Sequence, residues 1–271
     1  MGWVGKIFGN AFRIFEGNLA YQRAFERLYE LSLNGMNFGR GDEIEYSGEL
    51  EVMRYVFSRL KRANKRVLIF DVGANVGKYT MALLSAAQVE NIVVYAFEPS
   101  QETYKRLREN VRELHDVYTF NLGLSDANTT RKLYTDMTLS GLASVYHRKL
   151  ESRSIVMNKV ENVSLQTLDD FCREHGVGEV DFLKLDVEGH ELSVLKGAEE
   201  MISRGKIHFI QFEFGGCNID SRTYFKDFFD LLSVKYTLGR IVRDGICPIR
   251  QYRESYEVFT TVNYLAELKE K

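Results

Sequence analysis

The 271-residue chain predicts an α/β protein built on a mostly parallel sheet with helices on both faces. Three observations carry that prediction. From Arg66 onward, short apolar runs alternate with amphipathic stretches of roughly 10–15 residues, the spacing of strands joined by crossover helices. The first run ends in Asp71-Val-Gly-Ala-Asn-Val-Gly77, a glycine turn that leads into a helix. Residues 1–64 show helical periodicity instead, which sets a helical extension apart from a domain at 65–271.

Trp3, Ile7, Phe8, Phe12 and Phe15 share one helical face. Leu19, Phe25, Leu28, Tyr29 and Leu31 continue a second stretch, which Gly35, Gly39 and Gly41 break. Ser47 caps a third helix whose buried stripe is Leu50, Met53, Val56, Phe57 and Leu60. Val67 to Phe70 then reads as a buried strand, Tyr79 to Ala87 as a helix and Ile92 to Phe97 as a strand. Tyr104, Leu107, Val111 and Leu114 form a helical stripe before a strand at Val117 to Leu122. Residues 123–160 are mostly polar and irregular, with room for a hairpin. A helix is expected over Leu165 to Glu174, a strand over Val180 to Leu185 and a helix over Leu192 to Ile202. A strand over Ile207 to Phe214 and a helix over Tyr224 to Leu232 follow. Tyr236 to Leu265 holds further strand-like runs.

Composition narrows the functional classes. A formal charge of -2 gives no basic footprint for nucleic acid. Cys172, Cys217 and Cys247 form no CxxC pair, so they read as small core thiols of a reducing, cytoplasmic compartment. Lys6, Arg13 and Glu16 interrupt any signal-peptide-like apolar stretch, and no uncharged run approaches the ~18 residues of a spanning helix. Residues 1–18 are amphipathic. Docking on the domain or on a second subunit is favoured there over membrane-surface contact.

Ligands of parallel sheets bind beyond the carboxyl ends of the strands. Asp71, Gly73, Asn75, Gly77 and the following Tyr79 occupy the first such end. Gly-x-Gly-x-x-Gly is absent, and Asp71 is awkward beside a pyrophosphate. S-adenosylmethionine suits these residues better: its ammonium matches a carboxylate, and its carboxylate matches backbone N–H groups at a helix start. Glu98, followed by Pro99, ends the second strand and can accept both ribose hydroxyls. Asn121 and Gly123 at the third strand flank a place for adenine.

On the acceptor side, Asp186, Glu188, His190 and Glu191 follow the strand Phe182-Leu-Lys-Leu, and Glu213 sits near the end of the next. Methyl transfer needs an aligned nucleophile, and an alcohol acceptor also needs a proton acceptor. His190 and Glu213 are the candidate bases, with Glu188 to orient either. Asp186, Glu188 and His190 are ligand types for a divalent ion, but no further ligand set accompanies them and no metal is expected. Pro99 and Pro248 are the only prolines. That removes the Asp/Asn-Pro-Pro-Tyr/Phe motif of amino-group methyltransferases. Cys247-Pro248 also reverses the Pro-Cys order of cytosine-carbon methyltransferases.

Phe70-Asp-Val-Gly-Ala-Asn-Val-Gly77, Phe97-Glu-Pro99, Leu165-Gln-Thr-Leu-Asp169 and Asp181-Phe-Leu-Lys-Leu-Asp-Val-Glu-Gly-His-Glu191 resemble the FkbM-type family of S-adenosylmethionine-dependent methyltransferases. Ser47-Gly48-Glu49, Gln211-Phe-Glu213 and Asn263-Tyr-Leu-Ala266 extend the resemblance. It implies a three-layer Rossmann-like fold with a seven-stranded sheet whose last strand is antiparallel. It implies O-methylation of a hydroxyl on a sugar, glycan or related small product. Asp71, Gly73 and Glu98 would contact the cofactor, Asp186 would lie near the transferred methyl group, and Glu49 would close the site. A nucleotide-binding oxidoreductase or epimerase is the alternative on the same type of sheet. Tyr252, Tyr256, Phe259 and Tyr264 are expected in the core of the last strands rather than on a sugar. A homo-oligomer is compatible with the sequence.

Overall fold

The computed structural model describes residues 13–40, 44–60, 66–87, 91–150 and 153–270. Strands β1 (Val67–Val72), β2 (Ile92–Phe97) and β3 (Val117–Phe120) run parallel, with β1 also parallel to β7 (Val180–Leu185) and β7 to β8 (Ile207–Phe214). β9 (Tyr236–Val242), β10 (Gly245–Ile249) and β11 (Val262–Leu268) complete the sheet in the order β10-β9-β11-β8-β7-β1-β2-β3. The last strand, β11, inserts antiparallel between β8 and β9. The sheet thus has eight strands rather than the seven expected. The extra one is β10, which folds back on β9 as a hairpin and forms an edge. Pro248 sits in that edge strand, where its missing N–H costs no ladder bond. Cys247, beside it, is exposed, whereas Cys172 and Cys217 are buried as expected of core thiols.

The helices in chain order are α1 (Gln22–Gly35), α2 (Ile44–Ser47), α3 (Glu49–Leu60), α4 (Lys78–Ala86), α5 (Gln101–Val111), α6 (Leu168–Glu174), α7 (Glu191–Lys196), α8 (Glu199–Ser203), α9 (Cys217–Ser221) and α10 (Phe225–Leu232). One sheet face packs Phe70, Phe97, Leu183 and Phe212 against α6, α7, α8 and α10. Phe171 of α6 is the hub there, with the rings of Phe70, Tyr95, Phe97, Phe120 and His175 around it. The other face packs Ile69, Val94, Phe182, Phe209 and Leu265 against Val52, Met53, Val56 and Phe57 of α3 and Tyr79 and Leu83 of α4. Helix α3 is therefore a covering layer of the sheet. Helix α1 is largely exposed, and Leu33, its one buried residue, joins the core. The predicted helical face at Trp3, Ile7, Phe8 and Phe12, and Gly41, lie outside the described residues. Phe15 lies in a turn, edge-on to Tyr21. Among the described residues, no helix is long and apolar enough to cross a membrane.

Two boundaries differ from the sequence reading for local reasons. A second sheet forms from β4 (Gly123–Ser125), β6 (Lys159–Thr167) and β5 (Thr129–Thr135); the antiparallel β5–β6 pair is the hairpin for which the sequence left room, and β4 adds to it in parallel. Leu165 therefore belongs to a strand, and Thr167 starts α6 by accepting a 3.1 Å hydrogen bond from Asp170 N. The helix expected over Leu192 to Ile202 is broken into α7 and α8 at Gly197-Ala198. Gly197 lies so close to β4 that a Cβ there would come within 1.9 Å of Ser125 O.

Candidate functional site

The carboxyl ends of β1, β2 and β7 and the small second sheet border an open cleft. Its floor is Gly73, Asn75, Glu98, Pro99, Asp186, Glu188 and His190. Its apolar wall is Leu124, Leu133, Val145 and Leu165, with Gly123 between. Sequence reasoning missed this wall. The signal was the period-two spacing of Val163 and Leu165, with Asn162, Ser164 and Gln166 on the opposite side.

Gly73 makes the close approach at the floor. Its φ is +81°, and a Cβ there would meet Asp186 O at 1.9 Å. Its N–H, like that of Ala74, reaches Phe97 O, so the turn is stitched across β2. Glu98 is buried and accepts hydrogen bonds from Asn75 N at 3.0 Å and Ser100 N at 2.9 Å, one on each oxygen. Burial pushes its pKa up to about 7, against the pull of those two N–H groups. Each oxygen keeps a second lone pair for another donor. Asn75 Oδ1 is buried without a partner at the same floor.

Other expected cofactor residues stand behind the cleft. Asp71 is fully buried: Thr80 Oγ1 donates to Oδ2 at 2.6 Å, and Lys184 Nζ lies 3.6 Å from Oδ1. Lys184 thus matches the charge that the sequence reading assigned to a ligand. Gly77 turns the chain into α4 with φ +87°, and a Cβ there would meet Leu107 Cδ1 at 2.9 Å. The Tyr79 hydroxyl donates to Gln211 Oε1 at 3.0 Å inside the core. Asn121 does not line the cleft; its amide donates to Glu98 O and Pro99 O and fixes that bend. Glu49 is buried under β8, where Gln211 Nε2 donates to Oε1 at 2.6 Å and Ser47 Oγ to Oε2 at 3.0 Å. Burial, opposed by Lys184, holds its pKa above the usual carboxylate value.

The four candidate catalytic side chains separate by environment. Asp186 presents its carboxylate to the cleft, 40% exposed, with Lys184 Nζ 3.0 Å from Oδ2. Glu188, at φ +52°, is paired with the buried Arg148, which also lies 3.8 Å from Asp220. His190 has both ring nitrogens engaged, Nε2 with Ser125 Oγ at 2.9 Å and Nδ1 with Tyr146 OH at 3.1 Å. Burial, helped by Arg131, lowers its pKa to about 4, so the ring is neutral at ordinary pH. Glu213 is raised well above the usual range by burial and by Asp186, Glu188 and Glu191 nearby. Ligand atoms of Glu188, Glu213 and Cys217 lie within 4.8 Å of one another, a grouping different from the Asp186, Glu188 and His190 set weighed from sequence. In it, Glu188 is already held by Arg148.

The model of the methyltransferase FkbM domain matches residues 71–237, well over half of the chain. The chain belongs to the FkbM methyltransferase family. This FkbM-family chain is 26% identical to the 2-O-methyltransferase NoeI of Sinorhizobium fredii over 175 residues, which are 61% of the chain and 70% of that protein. It is 29% identical over 151 residues to the hexuronic acid methyltransferase AglP of Haloferax volcanii, covering 55% of the chain and 56% of that protein. It is 30% identical over 160 residues to the 31-O-demethyl-FK506 methyltransferase FkbM of Streptomyces tacrolimicus, covering 49% and 60%. A solved FkbM methyltransferase from Methylobacillus flagellatus KT aligns at 18% identity and a TM-score of 0.46, over 77% of the chain and 45% of that structure. The parallel sheet with an inserted antiparallel β11 is the Rossmann-like architecture expected for the family.

Proposed function

We propose that this FkbM-family protein is an S-adenosylmethionine-dependent O-methyltransferase acting on a hydroxyl of a sugar, glycan or related small product. The observation that carries the reading is the pairing, in one cleft, of a ribose-type acceptor and an exposed carboxylate. Glu98 keeps lone pairs free beside the orphaned Asn75 Oδ1, and Asp186 faces the same space. These residues fit the cofactor: Glu98 would take the ribose hydroxyls, the Gly73–Asn75 turn its amino-acid end, and Pro99, Leu124 and Leu165 the adenine. When bound, S-adenosylmethionine supplies a methyl group on a sulfonium, activated for transfer to a nucleophile.

The chain's own residues do the rest. Asp186 takes the proton from the acceptor hydroxyl, because the other candidates are committed elsewhere. Glu188 is paired with Arg148, His190 is held by Ser125 and Tyr146, and burial with the neighbouring carboxylates pushes the Glu213 carboxyl toward its neutral form. Lys184 fixes the Asp186 carboxylate, so the base is oriented before the acceptor arrives. The wall from β4 to β6 excludes water from one side of the cleft. Among the relatives, a 2-O-methyltransferase supports transfer to oxygen and a hexuronic acid methyltransferase supports a sugar-type acceptor. The family match does not favour the oxidoreductase or epimerase alternative. The protein is expected in the cytoplasm. A screen of S-adenosylhomocysteine release over deoxy-sugars, nucleotide sugars and oligosaccharides tests the reading. Turnover with at least one hydroxyl acceptor supports it. Tight cofactor binding with turnover only on amines or thiols sinks the O-methylation assignment.

A further inference from the structure

A row of polar residues crosses the middle of the sheet on the face covered by α3 and α4. Asp71 of β1 pairs in register with Lys184 of β7, and Lys184 with Gln211 of β8. All three are buried, in a layer otherwise made of Ile69, Phe182, Phe209 and Leu265. Buried charge is costly unless it is paired and held. Here three carboxylates, Glu49, Asp71 and Asp186, surround the one ammonium of Lys184. Burial alone would lower the lysine's pKa, but these acids together more than offset it and keep it charged.

The ammonium has one fixed position. It lies 3.0 Å from Asp186 Oδ2, 3.6 Å from Asp71 Oδ1 and 4.7 Å from the centre of the Tyr79 ring. The Tyr79 ring is in turn pinned by its hydroxyl, which donates to Gln211 Oε1, and Gln211 Nε2 donates to Glu49 Oε1. Glu49 opens helix α3, outside the matched family domain at 71–237. It is not among the residues that line the cleft.

We propose that Glu49 is a positioning residue for methyl transfer: through Gln211 and the Tyr79 ring it holds Lys184, and Lys184 holds the Asp186 carboxylate toward the cleft. Helix α3 thereby completes the site from outside the family domain. The inference rests on the reading of Asp186 as the proton acceptor.

The test compares Glu49→Leu, which removes the acceptor for Gln211, with Glu49→Gln, which keeps an oxygen there. Crystal structures without cofactor read the Lys184–Asp186 separation, and steady-state kinetics split kcat from KM. In Glu49→Leu that separation opens beyond about 4 Å, the reach of an ion pair. Its kcat falls roughly 10–100-fold, the scale of a small misplacement at the reacting centre, while the KM for S-adenosylmethionine stays within about twofold. Glu49→Gln keeps the short contact and recovers most of kcat. An unmoved Lys184–Asp186 pair with unchanged kcat in a folded Glu49→Leu protein overturns the proposal. So does an equal loss of kcat in both variants. Should Glu49→Leu fail to fold, Tyr79→Phe removes only the hydroxyl link. A shift of Lys184 with lowered kcat then supports the chain of contacts, and no change in either overturns it. If the wild type turns over no hydroxyl acceptor, the functional reading fails separately, and the crystallographic arm still decides whether Glu49 holds Lys184.

Discussion

Cofactor affinity should depend on pH through Glu98. In the ligand-free fold this carboxyl is buried, with a pKa raised from 4.5 to about 7. A raised carboxyl binds its proton more tightly in the folded state than in the unfolded one. Its contribution to stability therefore declines as pH rises from 4.5 toward about 7. Ribose hydroxyls donating to both oxygens favour the anion, so binding must expel the proton. Affinity then weakens about tenfold per pH unit below that value. Between about pH 8 and about pH 5.5 the loss is roughly 30-fold, or about 2 kcal/mol. Titration calorimetry with S-adenosylmethionine, in two buffers of different ionisation enthalpy, reads both the affinity and the proton released. Glu98→Gln should bind more weakly and lose the pH dependence. Equal affinity at both pH values, or proton uptake on binding, would refute the assignment of Glu98 to the ribose.

Gly73→Ala places a Cβ 1.9 Å from Asp186 O at φ +81°. The backbone strain alone is about 1–2 kcal/mol, and displacement of Asp186 should lower kcat by roughly 100-fold in a turnover assay. Asp186→Asn should cost kcat about 100-fold or more, whereas His190→Asn should keep it within about tenfold; equal losses would return His190 to the role of base. His190 also links pH to stability. With its folded pKa lowered to about 4 from 6.5, its stabilisation is full above 6.5 and is lost as pH falls toward 4. Chemical denaturation should show that acid-side loss reduced in His190→Asn. Phe171→Ala empties the aromatic hub and should cost about 3–5 kcal/mol, lowering the melting temperature by on the order of 10 °C while leaving low-temperature activity measurable.

The sheet was legible because its strands are short apolar runs bounded by turns: β2, β7 and β8 coincide with the runs read at Ile92 to Phe97, Val180 to Leu185 and Ile207 to Phe214. The second sheet was not, because β5 is largely exposed and polar and pairs with β6 across a long intervening segment. The break between α7 and α8 depends on the contact of Gly197 with Ser125 O, a meeting of residues far apart in the chain. At the site, the motifs placed Gly73, Asn75, Glu98 and Asp186 together at one cleft. They did not separate a residue facing the cleft from one buried beneath it. Asp71 and Asp186 are both strand-end acids, but sheet register sets Asp71 beside Lys184 in the core. Gln211, read only as part of a motif, joins Glu49 to Tyr79, a link between three distant segments that no local pattern reveals.

The most direct measurement follows a ¹³C-labelled methyl group from S-adenosylmethionine into a panel of sugar hydroxyls, with wild type beside Asp186→Asn. The label should appear as a methoxy carbon on a sugar oxygen, and the variant should slow its appearance about 100-fold while still binding the cofactor. Label on nitrogen or sulfur, or an Asp186→Asn rate equal to wild type, would contradict an O-methyltransferase that uses Asp186 as its base.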